Sequence, residues 1–257
     1  MLVSRSRPQL RGLKGLDLRL GGSEGSLEAV LSQLLLGFIL SLGVASAAWR
    51  LGVLTSDGAA TGVAVGSLIF GFGGWRWAAV LVVFFVTGSL LTRWQASRKP
   101  QPEHTRGRSA DQVLASGAVA TALAIWYGIA PAPWMVAAVV GTIAASTADT
   151  WATEIGLLSV SQPRLITTGQ VVVPGRSGGV TWIGTLGGVA GAALIAAAGA
   201  QWLQTSPAVV WIAGSLAMVL DSVLGATLEG RVRWVDNNAV NLLATFSGAV
   251  LAFLLSR

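Results

Sequence analysis

An all-α, polytopic bundle of membrane helices is the fold class that this 257-residue sequence predicts. Three observations carry that prediction. Hydrophobic residues make up 53% of the chain and charged residues only 11%, whereas soluble domains carry about 25% charged residues. Mean hydropathy is +0.67. Uncharged runs at 29–49, 58–75, 77–92, 112–148, 177–220 and 237–256 lie near or above the roughly 20 apolar residues that cross a bilayer core.

Taken in order, the first helix is expected at 29–49, after a basic tail at 1–28. The next two, 58–75 and 77–92, are short, and the small-residue series Gly58, Gly62 and Gly66 suits close helix packing. Pro131 and Pro133 divide the long fourth run into 112–130 and 132–148. "QWLQTSP" separates 180–200 from 207–228, and 237–256 closes the chain as one membrane-embedded domain, 29–257. Between 161 and 179 a β-branched run with Thr168-Gly169 as its turn predicts a short hairpin or extended loop. Trp49, Trp75, Trp77, Trp94, Trp202 and Trp234 stand at span ends, as an interfacial belt does.

Arg93, Arg98, Lys99, Arg106 and Arg108 place the loop 93–111 inside by the positive-inside rule. Loops 149–179 and 229–236 then share that side. The tail 1–28 joins them only if one of the first three runs does not cross, so both seven and eight spans stand.

There is no cysteine and only one histidine, His104. Disulfides, thiolate chemistry, histidine-rich metal sites and histidine-dependent triads are thereby excluded. The net charge of +6 reads as membrane orientation and contact with anionic lipid, not nucleic acid. What remains is chemistry by Asp, Glu, Arg, Asn, hydroxyls and backbone amides.

An acid within a span costs roughly 2.5–3.5 kcal/mol near a helix centre, so each one needs a reason. The candidates are Asp57, Asp149, Glu154 and Asp221. In "STADTWATEIG", Asp149, Ala152 and Gly156 share one helical face: a carboxylate followed by a strip without bulk, open to a nucleotide or to another backbone. Glu154 lies about 140° from Asp149 around the axis. "LDSVLGATLEG" repeats the idea with Asp221, Gly225 and Glu229. Between them, "PGRSGGVT" runs into a helix, and successive amides of a glycine turn at a helix N-terminus cradle phosphate. Its candidates are Gly175, Arg176, Ser177, Gly178 and Gly179; the Gly-Lys-Ser/Thr ending of a Walker loop is absent. Asn237, Asn238 and Asn241 in "DNNAVN" either cap the last helix or complete a ligand shell. Intramembrane acids and glycine-broken helices also mark secondary transporters and channels, the competing class for a small anion or lipid-linked substrate.

The segments "LTSDGAATGVAVGSLIF", "FFVTGSLLTR", "RSADQVLASG", "STADTWATEIG", "ITTGQVVVPGRSGGVTWIGTLGG" and "LDSVLGATLEG…NNAVNL" resemble, in that order, the transmembrane protein 19 and chloroplast phytyl-phosphate kinase family. The likeness covers roughly 29–257. It implies a membrane-bound kinase that converts phytyl phosphate, or a related isoprenyl monophosphate, to the diphosphate for tocopherol and phylloquinone synthesis. It also implies a bacterial inner or photosynthetic membrane as the location and membrane lipids as partners. The Asp149–Ala152–Gly156 pattern is similar to a motif of CTP-using phytol and dolichol kinases, which favours CTP as the nucleoside triphosphate. Ser116 and Glu229 stand where family members often carry Asn and Gln.

Residues and resemblance converge on one expected site. Asp149 and Asp221, helped by Glu154, hold Mg²⁺ at the triphosphate. The loop 174–179 cradles the phosphates, joined by Thr167, Thr168, Ala152 and Gly156, while Arg176 neutralises charge. Asn237, Asn238, Asn241, Thr55, Asp57 and Arg93 form the surrounding ligand shell.

Overall fold

The computed structural model describes residues 24–99 and 107–257. The expected tail up to residue 23, with His104 and Arg106, lies outside them. The described residues form α1 (Glu24–Arg50), α2 (Ser56–Gly73), α3 (Trp75–Arg93), α4 (Ala110–Ile129), α5 (Pro133–Gly156), α6 (Trp182–Leu203), α7 (Pro207–Thr227) and α8 (Asn237–Leu255). A two-stranded ribbon, β1 (Arg164–Leu165) and β2 (Gly179–Val180), lies between α5 and α6, with Arg164 opposite Val180.

The breaks have local causes. Pro133 and Pro207 occupy first turns, where a missing N–H removes no helical bond. Ser206 accepts from the Val209 amide and Thr181 from the Gly184 amide, capping α7 and α6. Gly74 alone, at φ 78°, turns α2 into α3.

Seven of these helices are long and apolar enough to cross a membrane; α2 is the one that falls short. It nevertheless runs the length of its neighbours. Gly71 faces Leu34 and Gly66 faces Ser41, so α2 is antiparallel to α1; Gly58 meets Arg108 and Gly128 meets Phe72, so it is parallel to α4. Its small residues touch other helices, and α1 turns Leu35, Phe38, Ile39 and Leu42 outward. Because the helices alternate in direction, the ends of α1, α3, α5 and α7 and the starts of α2, α4, α6 and α8 gather on one side.

At the centre stands α5, packed against α3, α4, α6, α7 and α8. It is the least apolar span and the most enclosed, whereas α1 is the most apolar and the least enclosed. That inverse relation follows from solvent: a helix surrounded by protein need not match lipid. Thr142, Ser146 and Thr147 are buried on α5, and their hydroxyls donate to Ala138, Ser116 and Ile143 carbonyls. Glycine permits the enclosure. A Cβ on Gly141 would lie 2.5 Å from Ala252 Cβ and 2.7 Å from the Gly248 carbonyl, and one on Gly214 would lie 2.7 Å from Ala144 Cβ.

Two expectations change. Trp77 is a core residue, buried and 5.0 Å from the Tyr127 ring, and Trp202 packs against the same cluster. Trp49, Trp75, Trp94 and Trp234 are exposed. The helix predicted to end at 148 runs on to Gly156, because Asp149 and Glu154 face protein instead of ending the span. Replacing Gly141 by Leu is expected to lower stability by about 2–3 kcal/mol through overpacking, while Gly43→Leu, with nothing within 4 Å of the added carbon, leaves it near wild type. Thermal unfolding in detergent measures both.

Candidate active site

A cavity of about 610 Å³ opens where α5 and α7 finish and α6 and α8 begin. Asp149 on α5 and Asp221 on α7 lie about 10 Å, some two turns, inside their helix ends. Their carboxyls meet within hydrogen-bond reach. The two helices run side by side in the same direction, with Gly214 against Ala144 setting the spacing below. Asp221 Oδ1 and Glu229 Oε2 are buried without a hydrogen-bond partner among the described residues.

The glycine turn stands over these acids. Ile166 donates its amide to the Gly178 carbonyl and Gly179 to the Arg176 carbonyl, closing 174–178 into a loop anchored on the ribbon. Gly178 adopts φ 74°, and a Cβ there would lie 2.5 Å from Ala226 Cβ; one on Gly225 would lie 3.2 Å from the Gly178 amide nitrogen. Loop backbone thus rests directly on the end of α7, one turn beyond Asp221. Arg176 is exposed at the rim, and Gly175, Ser177 and Gly179 also line the cavity.

Asn237, Asn238 and Asn241 face the same space. Asp236 decides their role: its Oδ1 accepts from the Ala239 amide at 2.9 Å and caps α8. The three amides are therefore left to the cavity.

Glu154, Ala152 and Gly156 also border this cavity but are engaged by protein, and the remaining expected residues lie outside it. Glu154 is buried, but Lys99 Nζ donates to its Oε2 at 2.7 Å and the Thr92 hydroxyl to its Oε1 at 2.6 Å. Lys99 also donates to the Leu91 and Thr92 carbonyls at the end of α3. Both oxygens of Glu154 are thus committed, and it is not a third ligand beside Asp149 and Asp221. The strip Ala152–Gly156 receives α6: a Cβ on Gly184 would lie 2.7 Å from the Ala152 carbonyl, and Ala152 joins an apolar cluster with Ala148, Ala192 and Met218. Another backbone takes up much of that smooth face, while Ala152 and Gly156 also border the cavity. Thr167 and Thr168 are exposed in the tight turn of the hairpin, outside the cavity. Thr55 caps α2, and Asp57 Oδ2 accepts from the Ala110 amide at 3.0 Å, capping α4. Arg93 donates to the Leu51 carbonyl and lines a smaller neighbouring cavity.

One cation that sequence reasoning did not single out reaches the main cavity. Arg108 lies in the turn before α4, its guanidinium beside Gly88 and Thr150 and 5.3 Å from the Phe84 ring centroid. Burial pushes its pKa below the ordinary arginine value, and the charges of Glu154 and Asp149 pull it back; the group stays protonated. The signal was present in "RSADQVLASG" and "FFVTGSLLTR", which hold Arg108 and Gly88, but no local pattern joins them.

The acids suit one kind of hard cation. Among the described residues no three Asp, Glu, His or Cys converge, so the donor set is the Asp149–Asp221 pair with its orphaned oxygen. Two carboxylates suit Mg²⁺, which keeps several waters and takes substrate phosphates rather than a protein cage.

A multi-span helical membrane protein with an acidic pair under a glycine loop is the class these features define. The family described as integral membrane protein DUF92 matches residues 39–249, and this chain belongs to it. An uncharacterized membrane protein of Methanocaldococcus jannaschii is 35% identical, the match covering 79% of this chain and 85% of the relative. One from Synechocystis is 32% identical over 73% and 77%. The chloroplastic protein VTE6 of Arabidopsis thaliana is 25% identical over 79% and 66%. No solved structure matches.

Two outcomes test the architecture. Gly178→Ala, which meets the α7 backbone, should cost clearly more stability than Gly169→Ala, which shares a positive φ of 70° but has open space; the latter should cost about 1 kcal/mol. Lys99→Met should cost about 3–5 kcal/mol by stranding Glu154, with much of that recovered in Lys99→Met/Glu154→Gln. Unfolding midpoints by fluorescence read both comparisons.

Proposed function

We propose that this protein is a membrane-bound prenyl-phosphate kinase, transferring the γ-phosphoryl group of a nucleoside triphosphate to phytyl phosphate or a related isoprenyl monophosphate. The observation that carries the reading is the meeting of Asp149 and Asp221, with Asp221 Oδ1 unpartnered, in the same cavity as the 174–179 loop. Such a cavity favours polyanions that bring a divalent cation with them. The resemblance to the phytyl-phosphate kinase family supports the acceptor and the link to tocopherol synthesis, and the likeness of Asp149–Ala152–Gly156 to the motif of CTP-using phytol and dolichol kinases favours CTP as donor.

In this reading the acceptor's phosphate oxygen attacks the γ-phosphorus, a new P–O bond forms, and the bond to the β–γ bridging oxygen breaks, releasing the nucleoside diphosphate. The acceptor is already an anion, so no strong general base is needed; position and charge neutralisation do the catalysis. Mg²⁺, held by Asp149 and Asp221, supplies neutralisation of the triphosphate when bound. The loop amides of Gly175, Ser177 and Gly178, which the loop's own hydrogen bonds leave free, orient donor phosphates, Arg176 screens them from the rim, and the asparagines of α8 line the same space. In this reading the cavity opens to the cytoplasmic face of a bacterial inner or photosynthetic membrane, which the positive-inside rule supports through the basic loop 93–111. A transporter would hold its acids near the midplane; here they sit about two turns from the helix ends, which favours the enzyme.

Purified protein in lipid nanodiscs, given phytyl phosphate with labelled CTP or ATP and Mg²⁺, should form the diphosphate. Asp149→Asn and Asp221→Asn should each reduce turnover to background without lowering the unfolding midpoint, since each removes a like-charge contact. Wild-type turnover in Asp149→Asn would overturn the site.

A further inference from the structure

We propose that Arg108 binds the phosphate of the lipid-linked acceptor, and that Lys99 keeps Arg108 available by holding Glu154. This rests on the kinase reading above.

The first argument is charge partition. Arg108 is within electrostatic reach of two acids, Glu154 and Asp149. Glu154 spends both oxygens on Lys99 and Thr92, and Asp149 lies against Asp221. The ion pair of Lys99 with Glu154 is the only one within 4.0 Å among the described residues. Arg108 therefore brings to the cavity a cation that neither neighbouring acid engages at contact distance.

The second argument is position. The glycine loop rests on α7, whereas Arg108 rests on α3 and α5, across Asp149 from it. If the loop holds donor phosphates, Arg108 faces the place where the second phosphate must lie. Thr92, Gly107 and Arg108 also line a second cavity of about 160 Å³ together with Gly52, Val53 and Arg93. Arg108 thus borders both the nucleotide-sized chamber and a smaller space beside the α1–α2 turn. That is the side of α1, the helix least enclosed by protein.

The third argument is rigidity. The Arg108 amide donates to the Val53 carbonyl at 2.9 Å, and its carbonyl accepts from the Thr55 amide and hydroxyl at 3.1 Å each. Gly88 makes room for the guanidinium: a Cβ there would lie 2.9 Å from Nη2. The stem that carries the guanidinium is thus fixed at its backbone, and a planar fork presented from it suits two oxygens of a phosphate monoester. Thr55 and Asp57, which do not line the main cavity, serve by fixing this turn.

The test is equilibrium binding of phytyl monophosphate, alongside steady-state kinetics, in nanodiscs. Arg108→Gln should raise both Kd and KM for the acceptor on the order of 10- to 100-fold, leaving the donor KM near wild type; Arg108→Lys should recover part of the loss. Lys99→Met should weaken acceptor binding too, since Arg108 then turns to Glu154, and adding Glu154→Gln should restore it. A merely structural Lys99 would not give that recovery of acceptor Kd. Unchanged acceptor binding in Arg108→Gln, a loss confined to donor KM, or no binding to the wild type would overturn the inference. Binding without transfer in the wild type would instead sink the kinase reading and leave the assignment of Arg108 standing.

Discussion

The enclosure of α5 is the constraint on which the rest depends. A helix that carries Thr142, Ser146, Thr147, Asp149 and Glu154 cannot face lipid, because each unpaired polar group there costs several kcal/mol. Five helices surround it instead, and they approach closely because Gly141, Gly188, Gly214 and Gly248 offer backbone where side chains would collide. In lipid, where no hydrophobic force drives apolar helices together, such close packing is the main source of association. The same packing that shelters the polar helix delivers its inner end to the cavity.

Charge is arranged by the same economy. Lys99 and Glu154 neutralise one another in a buried contact that also ends α3. Asp149 and Asp221 are instead pressed together with an oxygen unpartnered, an arrangement that calls for a cation or a proton between them. Glu154 and Asp149 are thus told apart by their partners, although both stand in the same short segment of α5. Helix termini follow a similar division: Asp57, Thr181, Ser206 and Asp236 spend their side chains on capping amides, while the Gly175, Ser177 and Gly178 amides and the side chains of Asn237 and Asn238 are left to the cavity.

Much of this was legible in the chain alone. Apolar runs, prolines and glycine pairs marked every helix to within a few residues, apart from the extension of α5 to Gly156. They did so because hydrophobic length and broken hydrogen bonding are local properties. The hairpin turn at Thr168–Gly169 was likewise local: Leu165 and Gln170 close it through one backbone bond of 2.8 Å. Acids within spans stood out for the same reason, since their cost depends on the residue and its depth.

Partner choice was not legible. Glu154 and Asp149 look equivalent in "STADTWATEIG", and only the fold gives Glu154 to Lys99, 55 positions away, and Asp149 to Asp221. Whether Ala152 and Gly156 meet a ligand or α6, and whether Arg108 is an orientation charge or a cavity cation, were equally undecidable from spacing. The sequence by itself determined which segments enter the membrane and which residue types were left for chemistry, because transfer out of water is a sum over neighbours along the chain. Tertiary structure alone decided which charge meets which, because electrostatic pairing depends on distance through space, and on α5 that distance is set by helices far apart in sequence.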